Sequence, residues 1–106
     1  MDPKTHARFR ARARIVKALA HPSRLFIVSE LARQKRCVCE LADMVGADMS
    51  TVSKHLAILK NSGIVNDEKH GTMVIYELRT PCVLNFLGCV EAVMKASARE
   101  QAKLVE

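Results

Sequence analysis

The sequence predicts a mainly α-helical domain with one small β-hairpin, on three observations. Apolar residues recur at helical spacing through four successive segments between about residues 4 and 62. Two short runs, 64–70 and 73–78, then alternate as strands do, with His70-Gly71 at the turn between them. A last segment opened by Pro81 returns to helical spacing and continues to about Ala98. At 106 residues and 49% apolar composition, the chain suffices for one modest core, so residues 1–106 are expected to form a single domain.

Each element has its own sequence warrant. In the first helix, about 4–19, Phe9, Ala13, Val16 and Leu19 share a face, and Arg8, Arg10, Arg12, Arg14 and Lys17 occupy much of the remainder. Ala20-His21-Pro22-Ser23 breaks and restarts the helix, with Pro22 suited to a first turn. Leu25, Val28, Leu31 and Ala32 carry the pattern through a second helix ending near Arg33. A short third helix covers about Val38–Val45, and Gly46 lies just past its end, where a left-handed residue is commonly needed. Asp48 or Ser50 caps a fourth helix that runs to about Ser62 and ends at Gly63. The third and fourth helices have helix-turn-helix proportions over about 38–62, and the hairpin at about 64–78 is expected to be the wing of a winged helix. The last helix carries Val83, Leu84, Phe86, Leu87, Val90, Val93 and Met94, a stripe wider than one small domain needs to cover.

Composition narrows the function. A net charge of +6 with no acidic block favours a polyanionic partner. No apolar run approaches the ~18–20 residues that cross a bilayer, and Met1-Asp2-Pro3-Lys4 lacks the apolar centre of a signal peptide. No membrane association is expected, and the cytoplasm is the expected compartment. Four cysteines in such a chain point to metal or redox thiols rather than structural disulfides. Without a Gly-rich phosphate cradle or a Cys-x-x-Cys pair, neither an enzyme nor an organic cofactor is expected.

On the fourth helix, Val52, Leu56 and Leu59 fall at i, i+4 and i+7 and face the core. Ser50, Thr51, Ser53 and Lys54 then point outward at the N-terminal end, the end a recognition helix presents to base edges and phosphates. His55 lies beside the core face, either as a base contact or as a satisfied structural histidine. In the wing, Lys69, His70 and Thr72 are candidates for phosphate contact, set against an ordinary solvated turn. The Arg8–Lys17 cluster either adds to the attracting field or is simply the wet face of its helix.

Cys37 and Cys39 open the third helix, where free backbone N–H groups and the positive end of the dipole favour thiolate. Lys35 and Arg36 push the same way. Residues two apart in a regular helix diverge by about 200°, so both sulfurs reach one ion only if the first turn is extended. Cys82 and Cys89, seven residues apart, are separated by roughly 10 Å along an intact helix. Sulfurs on one ion lie within about 4 Å of each other, given metal–sulfur bonds near 2.3 Å, so these two do not chelate together. Cys82 at the frayed helix start is open between ligand and packing residue; for Cys89, mid-helix beside Gly88, packing is favoured.

From Leu19-Ala20-His21-Pro22-Ser23-Arg24-Leu25 through Ser50-Thr51-Val52-Ser53-Lys54-His55-Leu56 and Leu59-Lys60-Asn61-Ser62-Gly63-Ile64-Val65, the chain resembles the ArsR/SmtB family of winged-helix, metal- or metalloid-responsive repressors. The resemblance implies a homodimer built on about 4–19 and 81–98, bound to double-stranded operator DNA. Arsenic-sensing members carry Cys-Val-Cys-Asp/Glu-Leu-Cys, whereas this chain has Cys37-Val38-Cys39-Glu40-Leu41-Ala42 and lacks the third thiol. The implied inducer is As(III) or Sb(III) on Cys37 and Cys39, completed by an exogenous ligand or by Cys82 or Cys89. A Cd, Pb or Zn thiolate sensor and a thiol-redox or persulfide switch are the alternatives. The last helix has no histidine for the family's carboxylate–imidazole zinc site, and Ser29 stands where persulfide sensors place their second-helix cysteine.

Overall fold

The computed structural model describes residues 1–105, and its helices begin where the sequence supplies caps. Asp2 accepts the Thr5 N–H at 2.7 Å and opens α1 (Pro3–Leu19). His21 Nδ1 accepts the Ser23 N–H at 3.1 Å and opens α2 (Pro22–Arg33). A two-residue strand, β1 (Arg36–Cys37), follows and leads directly into α3 (Val38–Val45), which ends at Gly46 with φ +78°. Asp48, not Ser50, caps α4 (Met49–Asn61), its carboxylate accepting the Thr51 N–H at 2.7 Å.

The hairpin of β2 (Val65–His70) and β3 (Met73–Leu78) pairs from Val65 opposite Leu78 to His70 opposite Met73. Gly71 and Thr72 form its two-residue loop. Gly71 has φ +64° and no other type of residue has positive φ among those described, which matches a II′ turn with glycine first. β1 pairs antiparallel with the far edge of β3, Arg36 opposite Tyr76 and Cys37 opposite Ile75, giving the order β1-β3-β2. The wing is therefore a three-stranded sheet rather than a hairpin alone. Two residues leave no periodicity to read, so β1 was invisible in the sequence. The final helix, α5 (Val83–Val105), starts later and runs longer than the expected 81–98.

Val52, Leu56 and Leu59 are fully buried against Ile27, Val28 and Leu41, which locks α4 onto α2 and α3. Each such side chain contributes about 1.5–3 kcal/mol by leaving water. The terminal helices differ from this. Of the expected α1 face only Leu19 enters the core; Phe9 and Val16 are about half exposed. Phe86, Val90, Val93 and Met94 of α5 are likewise exposed. The apolar stripes of α1 and α5 thus remain uncovered within one chain. Among the described residues no helix is long and apolar enough to cross a membrane.

Candidate sensor and DNA-reading site

Cys37 is the N-cap of α3 and lies outside the helix proper, with extended backbone (φ −81°, ψ 164°). Its Sγ accepts the Glu40 N–H at 3.4 Å, while its own N–H donates to Glu40 Oε1 at 3.0 Å. This is a reciprocal capping box with sulfur in the usual place of a hydroxyl. Because Cys37 precedes the first helical residue, the divergence expected of two helical positions does not apply. Cys37 and Cys39 line one cavity of about 300 Å³, which also meets Met49 and Ser53 of α4 and Met73 and Val74 of the wing.

The electrostatics reverse one expectation. Burial, first, and then the neighbouring Cys39 thiol push the Cys37 thiol above its ordinary range, so it is held protonated rather than as thiolate. Cys37 is only 2% exposed. The cations expected to favour thiolate are engaged elsewhere. Arg36 lies 2.9 Å from Glu30 and 2.8 Å from Glu40, and Lys35 lies 3.2 Å from Glu77. Glu40 is brought down to about 2, mainly by the Cys37 N–H and then by Arg36. The buried carboxylate of Glu30 is also lowered, chiefly by Arg36. The chain Glu30–Arg36–Glu40–Cys37 therefore ties α2 to the start of α3.

Cys82 lies in the turn ahead of α5 and lines a separate cavity with Ile15, Val16, Gly63 and Phe86. Cys89 is exposed on α5. Within one chain, then, Cys37 and Cys39 come together and neither Cys82 nor Cys89 joins them. Among the described residues no three His, Cys, Asp or Glu side chains gather where they could hold a metal ion.

Ser50, Thr51, Ser53 and Lys54 are exposed along the start of α4. Lys69, His70 and Thr72 are exposed at the wing tip, with His70 Nε2 3.6 Å from Glu68. Lys60 reaches Asp67 at 2.9 Å and braces α4 against β2. His55 departs from this set. It is half-buried, its Nδ1 accepts the Arg24 Nε–H at 3.3 Å, and its ring centroid lies 4.4 Å from that of His21. Burial, then His21 and Arg24, lower its pKa. His55 fastens α4 to α2 and is not presented with the outward residues; its partners lie over thirty positions away, beyond what local spacing reveals. Met49 and Met73 beside the thiols were also missed, because exposed methionines carry no periodic signal.

The arrangement is a winged helix-turn-helix domain with a thiol pair beside the first turn of α4. Residues 21–67 match the family model described as bacterial regulatory protein, arsR family. The chain is 43% identical over 68 residues to the HTH-type transcriptional repressor SmtB of Mycobacterium tuberculosis, covering 64% of this chain and 50% of that protein. It is 36% identical over 72 residues to the cadmium resistance transcriptional regulatory protein CadC of Listeria innocua, covering 67% and 60%. The solution structure of a homodimeric winged helix-turn-helix DNA-binding domain from Mycobacterium bovis superposes with a TM-score of 0.78 at 29% identity, covering 94% of this chain and 93% of that one. The chain belongs to the ArsR family of bacterial regulatory proteins. The matched stretch spans about half the length of the SmtB relative.

Proposed function

We propose that the chain is a cytoplasmic homodimeric transcriptional repressor that binds double-stranded operator DNA and releases it when As(III) or Sb(III) bridges Cys37 and Cys39. The observation that carries this reading is the shared cavity, which places both thiols between the first turn of α4 and the wing. DNA contact falls to Ser50, Thr51, Ser53 and Lys54, with Lys69 and His70 on the backbone. The uncovered stripes of α1 and α5 supply the dimer interface, in keeping with the homodimeric Mycobacterium bovis neighbour.

The buried Cys37 thiol suits a metalloid. Arsenite enters as neutral As(OH)3; two S–H groups replace two hydroxyls, each thiol proton leaves on a hydroxide as water, and the product is neutral. No net proton has to be expelled from a buried site. A divalent soft cation, the second reading, is favoured by the similarity to CadC. It must drive both thiol protons into solvent, so its effect weakens as pH falls.

Anisotropy of labelled operator DNA tests the proposal. Arsenite is expected to weaken wild-type binding by about 5–150-fold, the usual size of such couplings. Cys37→Ser and Cys39→Ser are expected to bind DNA normally and not respond. Release of the double variant by arsenite overturns the thiol assignment. Release by cadmium with arsenite inert favours the second reading, and release by peroxide or persulfide alone replaces both with a redox switch.

A further inference from the structure

The thiol cavity contains two further sulfurs. Met49 is the first residue of α4 and Met73 the first of β3, and both line the cavity that holds Cys37 and Cys39. They are 54% and 46% exposed, so neither is anchored in the core. An exposed methionine on a reading helix and another at the wing tip add little to stability. Both line one cavity with two thiols.

We propose that this cavity is also a mixed thiolate–thioether site for a monovalent soft cation, Cu(I), with Met49 and Met73 completing the donor set of Cys37 and Cys39. The proposal rests on the reading that those two cysteines are the sensing ligands, and adds to it a second class of inducer. No carboxylate or imidazole lines the cavity; its other polar side chains are the Ser53 and Thr72 hydroxyls. Hard ions therefore find no partner, and the two thioethers favour Cu(I) over the divalent ions that thiolates alone also take. The cavity is wider than one ion, and methionine suits such a gap: three rotatable bonds let each thioether swing inward without moving the backbone.

Proton and charge balance separate this ligand from arsenite. Cu(I) displaces the protons of Cys37 and Cys39 to solvent, and each thioether gives a lone pair without losing a proton. The loaded site carries one net negative charge beside Ser53, on the face that meets phosphate. Cu(I) binding therefore leaves a net charge in the site, whereas arsenite capture leaves it neutral.

The test is an anaerobic competition titration of the full chain with a chromophoric Cu(I) chelator, with copper-edge absorption to count sulfurs. Wild type is expected to hold one Cu(I) per chain in a shell of at least three sulfurs. Met49→Leu/Met73→Leu, which preserves volume, is expected to lower the affinity about tenfold or more and leave two sulfurs. Its release from DNA by arsenite is expected to be unchanged. Equal Cu(I) affinity and sulfur count in the double variant overturn the thioether assignment, as does loss of its arsenite response. If Cys37→Ser/Cys39→Ser still responds to arsenite, the underlying thiol reading falls instead. If that variant is unresponsive while the methionine variant holds Cu(I) as wild type does, only the thioether assignment falls.

Discussion

Replacing Cys37 separates its role as the cap of α3 from its proposed role as a ligand. Its Sγ lies 3.4 Å from the Glu40 N–H it caps, a long contact to a weak acceptor, at a position 2% exposed. In Cys37→Ser a hydroxyl oxygen, smaller and a better acceptor, takes over the same N–H, so the cap survives. In Cys37→Ala the N–H is left unpaired in a half-buried turn, and a void the size of the sulfur remains. The alanine variant is expected to be less stable than the serine variant by about 1 kcal/mol, within the 0.5–2 kcal/mol range of N-cap deletions. That corresponds to a melting temperature about 4–8 °C lower for a domain of this size. Urea unfolding at fixed protein concentration measures the difference, provided the two slopes agree. Both variants should lose arsenite response, and only the alanine variant should lose stability. Coincident midpoints, or a serine variant less stable than the alanine one, would refute the claim that sulfur caps α3.

Three further outcomes follow from the geometry. Leu56→Ala, at a fully buried position, is expected to lower stability by about 2–5 kcal/mol in urea unfolding; a loss under about 1 kcal/mol would show that α4 is not seated as described. Gly46→Ala meets nothing within 4 Å, so its cost is backbone strain at φ +78° alone, about 1–2 kcal/mol in a thermal melt. Glu40 is held near 2 against an ordinary 4.5, so its stabilising effect is complete above 4.5 and disappears as pH falls towards 2. Glu40→Gln should flatten stability against pH in that window, and unchanged slopes would contradict the capping box.

The helical frame was legible because it rests on local signals. Val52, Leu56 and Leu59 announced the buried face of α4, and Gly46 and Gly63 marked helix ends that need positive φ. The thiol pair was legible as a motif, and Cys37 as an extended cap answers the question of how two sulfurs two residues apart share one cavity. What was not legible depends on distant partners. The thiolate expectation failed at Cys37 because the fold buries that thiol, and because Glu77 and Glu30, which the fold brings to Lys35 and Arg36, take up the charges that were to favour it. His55 was ambiguous because Arg24 and His21 decide its surroundings. Phe9 and Val16 had the spacing of core residues, but their stripe faces outward, and spacing alone does not say whether a stripe meets its own domain or a second copy.

The position of Cys37 explains how a small ligand acts on a large interface under the proposed function. One residue pairs with Ile75 in the wing, caps α3 through Glu40, and through Glu40 and Arg36 is tied to Glu30 of α2. Capture replaces the Cys37 S–H bond by an S–As bond and draws Sγ towards Cys39, away from the Glu40 N–H it accepts at 3.4 Å, so under this proposal it loosens the cap that orients α3 beneath α4. The same residue cannot shift without drawing on β3, so the wing moves with it. Neutral arsenic acts through this mechanical route alone. An ion that leaves negative charge beside Ser53 adds repulsion of phosphate, which salt screens. One pocket thus offers two physically distinct ways of weakening the hold on DNA, one insensitive to ionic strength and one not.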